Sequence, residues 1–115
     1  MLDPLAAEFH EELLATYWEA KEKCHYNATR FLQMLQEHGG VETARRLLTT
    51  GPVAQSGLTE LWLCERLHIS VEAKVLLPKY RHLFDDEIRT AARKRLQEYG
   101  FDVNAWIDES DTDID

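Results

Sequence analysis

Apolar residues recur along this chain with a helical period, and no stretch alternates apolar and polar residues long enough to predict a strand. Asp3 followed by Pro4 reads as an N-cap with proline in the first turn, and the pattern then runs to about Cys24. At about 100° per residue, Leu5, Phe9, Leu13, Tyr17, Ala20 and Cys24 share one face, with glutamates on the opposite arc. Leu14 and Trp18, one turn apart, form a second, smaller apolar strip. Asn27 is placed to cap a helix over 28–38, which Gly39 and Gly40 stop before another over 41–49. TTGPVAQSG breaks the pattern and reads as the longest loop.

Ser56 is expected to cap a helix over 57–67. Leu58, Leu61, Trp62, Leu63, Cys64 and Leu67 make it apolar nearly all round, which predicts a central position. Ser70 caps a short helix over 71–76 that Pro78 ends, and Lys79 to Phe84 adds one further turn. Asp85 caps a last long helix over 86–99, stopped by Gly100, after which Phe101, Val103, Trp106 and Ile107 can fold back on the body. The expected fold is all-α: one compact domain of five or six helices over 1–107 with short loops, and an acidic flexible tail over 108–115.

Two charges fall inside apolar arcs, Arg95 on the last long helix and Glu65 on the expected central one. A lone buried charge costs several kcal/mol, so each should either have a partner or lay its stem over apolar surface with its head in water. Arg95 is expected to pair with Glu65, or failing that with Glu60 or Glu72.

Composition narrows the function classes. The 115 residues carry 13 Lys+Arg and 21 Asp+Glu, a net charge of −8, so bulk charge does not invite nucleic acid. The acidity is uneven: 1–23 holds six acids and two bases, and DESDTDID (108–115) holds five acids and no base. No apolar run is long enough for a membrane span, and the acidic start does not resemble a secretory signal. Two cysteines in such a chain do not suggest a disulfide framework, and a reduced cytoplasmic setting is expected.

Candidate chemistry is sparse. Cys64 and His68 share a helical face, and Cys24 with His25 would complete four ligands, but adjacent Cys-His is poor tetrahedral geometry. Neither a metal motif nor a glycine-rich phosphate loop is present, so no catalytic residue, metal, cofactor or small-molecule substrate is assigned. The surplus of large aromatics, three Trp, four Tyr and four Phe, favours association with a protein partner or a second copy. Leu14, Trp18, Tyr80 and Trp106 are the candidate contacts. The alternative is nucleic-acid binding through Arg89, Arg93 and Lys94, with Arg45 and Arg46 on the 27–49 helix pair. As a helix-turn-helix, that pair fits poorly, because Leu35 would stand where a small residue belongs and Arg45 where the core belongs.

YNATRFLQMLQEHGGVETARRLL (26–48) and GLTELWLCERLHISVEAKVLLPKYRHLFDDEIRTAARKRLQEYG (57–100) resemble a family of small bacterial proteins of unknown function, stand-alone chains of about this length. The resemblance implies a bacterial or phage-borne, cytoplasmic origin. It assigns no reaction and no site residue.

Overall fold

A computed structural model describes residues 3–49 and 56–111. They are all helical, packed as one globule: α1 (Pro4–Cys24), α2 (Thr29–Thr49), α3 (Ser56–Leu63), α4 (Val71–Val75), α5 (Asp86–Glu98) and α6 (Val103–Asp111). Two 3₁₀ segments, Leu67–Ile69 and Pro78–Leu83, flank α4.

Local chemistry sets most helix starts. Asp3 accepts from Leu5 N at 2.9 Å, Ser70 Oγ from Ala73 N at 3.1 Å, and Asp85 from Ile88 N at 2.9 Å. Asn27, expected as a cap, instead accepts from the Tyr17 hydroxyl at 2.9 Å, which ties the α1–α2 connection to α1. Three helices end on a residue in left-handed conformation: His25 (φ 53°), Glu65 (φ 60°) and Gly100 (φ 77°). At Glu65 the Arg66 N–H reaches back to Leu61 O and the Glu65 N–H to Trp62 O, at 2.8 and 3.1 Å. This is a Schellman cap with glutamate where glycine is usual. It stops α3 at Leu63, four residues short of the expected end.

α1 and α2 form a close hairpin. A Cβ on Gly40 would lie 2.6 Å from the His10 Cα, so only glycine lets the two backbones meet there. Gly39 (φ 79°, ψ 168°) is non-helical and divides α2 into two helices that meet at a kink, which is the stop expected at Gly39 and Gly40. No turn of three or four residues separates 29–38 from 40–49, so the pair lacks the connection of a helix-turn-helix.

The centre of the molecule is α4. Val71, Glu72, Ala73, Val75 and Leu76 are all buried, whereas α3, expected at the centre, lies at the edge with Trp62 and Leu63 exposed. Phe9 of α1 sits edge-on to both Tyr80 and Phe84, with ring centroids 5.0 Å apart in each case. Side chains from other helices satisfy backbone carbonyls of the central segment. Thr16 Oγ1 donates to Ile69 O at 2.7 Å, and Trp106 Nε1 donates to Ala73 O at 2.8 Å.

Arg95 is buried, as expected, but its carboxylate partner is Glu72, not Glu65. Arg95 Nη1 lies 3.4 Å from Glu72 Oε2 and donates to Leu47 O at 2.8 Å. Glu65 occupies the left-handed cap of α3 and is exposed. Burial pushes the Glu72 carboxyl above its ordinary range, and Arg95 opposes that shift. The acidic end expected to leave the body at Asp108 continues as helix to Asp111, while 112–115 lie outside the described residues. Most of the expected loop, 50–55, also lies outside them.

Removing one partner of a buried pair strands the other. Arg95→Met and Glu72→Leu are each expected to cost about 3–5 kcal/mol in urea unfolding, and the double variant to return within about 2 kcal/mol of the parent. In Arg95→Met, Glu72 loses the cation that held its carboxyl down. A raised folded-state value contributes stability in full below the unfolded value of about 4.3 and loses it as pH rises through the folded value. The deficit of Arg95→Met against the parent should therefore shrink when unfolding is measured at about pH 5 rather than about pH 7. Gly40→Ala is expected to lower stability by about 1–3 kcal/mol through the clash with the His10 backbone.

Candidate docking groove

The eight residues of α3 alternate between anchoring and display. Leu58 and Leu61 point into the core at 3% and 6% exposure, while Trp62 and Leu63, the next two positions, stand 47% and 64% exposed. Leu58 and Leu61 are three apart and share a face, whereas Trp62 and Leu63 are turned about 100° and about 200° further round the helix and face outward. Trp62 leans on Tyr99 at the end of α5, with ring centroids 5.7 Å apart, and the Thr59 and Tyr99 hydroxyls are hydrogen-bonded.

Between α3 and the corner joining α5 to α6 lies an open groove of about 470 Å³. Leu67, Tyr99 and Phe101 supply its apolar lining, with Trp62 and Leu63 along one wall and Glu65 and His68 as polar contributors. Gly100 shapes the far wall. Its left-handed conformation turns the chain so that Phe101 N–H bonds back to Leu96 O at 3.1 Å. Phe101 in turn packs against Trp106, centroids 6.1 Å apart.

A disulfide closes the far end of α3. Cys64 is bonded to Cys24, the last residue of α1, with Cα atoms 5.6 Å apart across 40 residues of sequence. This corrects the expectation of reduced thiols, which rested on cysteine number alone. The paired sulfurs are also not free to act as thiolate ligands beside His25 and His68. Among the described residues, no three His, Cys, Asp or Glu side chains gather where they could hold a metal ion.

The expected contact residues divide. Trp18 is 53% exposed, with the Lys21 ammonium 5.4 Å from its ring centre, and Leu14 beside it is partly buried against the core. Trp106 is partly buried and spends its indole N–H on Ala73 O. Tyr80 is fully buried, its hydroxyl donating to Glu8 Oε2 at 3.1 Å, so it belongs to the core and not to the surface. Burial pushes the Tyr80 phenol well above its usual range, aided by the nearby Glu12 and Glu8 charges. Hydrogen bonds from Lys79 and Tyr80 hold the Glu8 carboxyl below its own range. Trp62 and Leu63 were missed as surface residues because a helix apolar on nearly every side reads as buried.

The basic residues are spread over two helices and answered by nearby groups. Arg46 Nε lies 3.1 Å and Arg45 Nη1 3.8 Å from Glu42, and Arg45 also donates to Leu83 O at 3.2 Å. Arg89 is 3.9 Å from Asp86, and Arg93 donates to Asn104 Oδ1 at 3.1 Å. Lys94 is exposed. A second recess, of about 560 Å³, lies where α1, α4 and α6 approach one another, and its ammonium groups are likewise paired: Lys74 with Glu12 at 3.3 Å, and Lys79 with Glu8.

The described residues thus form an all-helical single globule, its candidate site is an open groove and not an enclosed pocket, and none of the described helices is long and apolar enough to cross a membrane. Neither a family model, nor a curated protein, nor a solved structure matches it.

If Trp62 and Leu63 are display residues, the fold does not need them. Leu63→Glu and Trp62→Glu are expected to change the unfolding free energy by less than about 1 kcal/mol. Leu61→Ala, one position away on the buried side, should cost about 2–5 kcal/mol in the same urea titration.

Proposed function

We propose that this protein works by association with another protein, accepting an apolar side chain of that partner into the groove between α3 and the α5–α6 corner. The observation that carries the reading is the pair Trp62 and Leu63, adjacent, both largely exposed and beside Tyr99 and Phe101 in one groove. Exposed apolar patches of this kind mark interaction sites, and Trp and Tyr are the residues on which binding energy concentrates. Trp18 and Leu14 on α1 extend the same chemistry as a secondary contact. The role is that of a non-catalytic accessory or regulatory module, with the aromatic groups supplying apolar area at low entropic cost.

Binding to nucleic acid through Arg45, Arg46, Arg89, Arg93 and Lys94 is the rival reading. The acids on the same helices weaken it, since Glu42 and Asp86 already compensate three of these charges.

A photoreactive phenylalanine analogue at position 63 tests the proposal in lysate of cells that make the protein. A crosslinked adduct is expected whose yield changes by less than about twofold when salt is raised from about 0.1 to about 0.5 M, because apolar contacts are not screened. Trp62→Glu should reduce that yield at least tenfold. Retention of the adduct in Trp62→Glu, with loss in salt and in Arg93→Glu, would move the function to the basic face.

A further inference from the structure

An edge element of this fold is also one that builds its groove. α3 has eight residues, fewer than a helix needs to persist alone in water. Leu58 and Leu61 anchor one face, and the Thr59–Tyr99 hydroxyl pair anchors a second point. Its C-terminal end is tied down by Cys64–Cys24 and, one residue past the Glu65 cap, by Arg66, 3.5 Å from Glu19 in a partly exposed ion pair. An exposed ion pair contributes little. The covalent bond is therefore the principal link between the end of α3 and α1.

Both cysteines are only partly buried, so a reductant can reach the bond. We propose that Cys24 and Cys64 form a reversible redox site that controls the groove. Closed, the bond holds α3 so that Trp62 and Leu63 stand opposite Tyr99 and Phe101; opened, it releases α3 and the groove loses a wall. The control of docking rests on the reading given above, but the redox site and the release of α3 do not.

The co-reactant is a dithiol. Cys24 ends α1 and Cys64 directly follows α3, where the carbonyl ends of the helices disfavour a thiolate leaving group, so attack by a monothiol is easily reversed. One thiolate of the dithiol attacks a sulfur, the bond between Cys24 and Cys64 breaks, and the other cysteine departs with the electron pair. The second thiol of the reductant then displaces the remaining cysteine and leaves as a disulfide. Two electrons and two protons have passed to the protein, which ends with two thiols. A disulfide oxidant of the same class reverses the step.

Amide hydrogen exchange with and without a dithiol reductant, on the full chain, tests this without any partner. Thiol alkylation and mass measurement should find no free thiol before treatment and two after it. In the reduced chain, amides of 58–64 are expected to exchange within about tenfold of the unstructured rate, while those of 9–17 and 88–96 keep at least hundredfold protection. The double variant Cys24→Ala with Cys64→Ala should show the reduced pattern and no response to reductant. Two free thiols in the air-purified protein would overturn the proposal. So would protection of 58–64 that matches that of 88–96 after reduction, or loss of protection in all three segments together, which would make the bond a general staple. A Trp62→Glu result that defeats the docking reading leaves these outcomes unaffected.

Discussion

A buried guanidinium organises this fold. Arg95 reaches from α5 to the Glu72 carboxylate on α4 and to the Leu47 carbonyl on α2, so one side chain joins three helices at the centre of the molecule. The pair need not add net stability, since removing two charges from water offsets most of their attraction. What it does fix is register. α4 is five residues long and too short to hold itself helical, and its glutamate is tolerable inside only with the cation in place. Thr16 and Trp106 complete the arrangement by donating to Ile69 O, just before α4, and to Ala73 O at its middle. A short helix becomes a hub because its polar groups are answered from α1, α5 and α6.

Once α1, α2, α4 and α5 have closed around that hub, little apolar area is left for α3 to cover. It docks by Leu58 and Leu61 at the edge and turns Trp62 and Leu63 to solvent. The groove is therefore a consequence of how the core is filled, and its far wall, from Tyr99 through Phe101, is set by the glycine cap of α5. At the same edge, the residue that follows α3 is crosslinked to the last residue of α1.

Elements governed by a few consecutive residues were legible in the chain. The caps at Asp3, Ser70 and Asp85, the breaks at Pro78 and Gly100, the inward face of α1 and the burial of Arg95 all follow from the order of side chains over a turn or two. The end of α3 was not legible, because its left-handed cap is a glutamate and carries none of the glycine signal that marks Gly100. The same shortfall misplaced Glu65, which projects inward only if the helix continues through it.

Three further features depended on contacts that no local pattern encodes. An apolar residue is buried only if another element arrives to cover it, so the near-uniform apolarity of α3 did not distinguish a central helix from one at the edge. Tyr80 sits in the core because Phe9 and Glu8 of α1 meet it there, 72 residues away in sequence for the hydrogen bond to Glu8. Cys24 and Cys64 become partners only when the ends of two helices converge. Sequence by itself determined where helices start, which face each offers and that Arg95 needs an acid. The tertiary structure alone decided which acid, which aromatics stay in water and which thiols meet, because those outcomes depend on distances between segments that the order of residues does not specify.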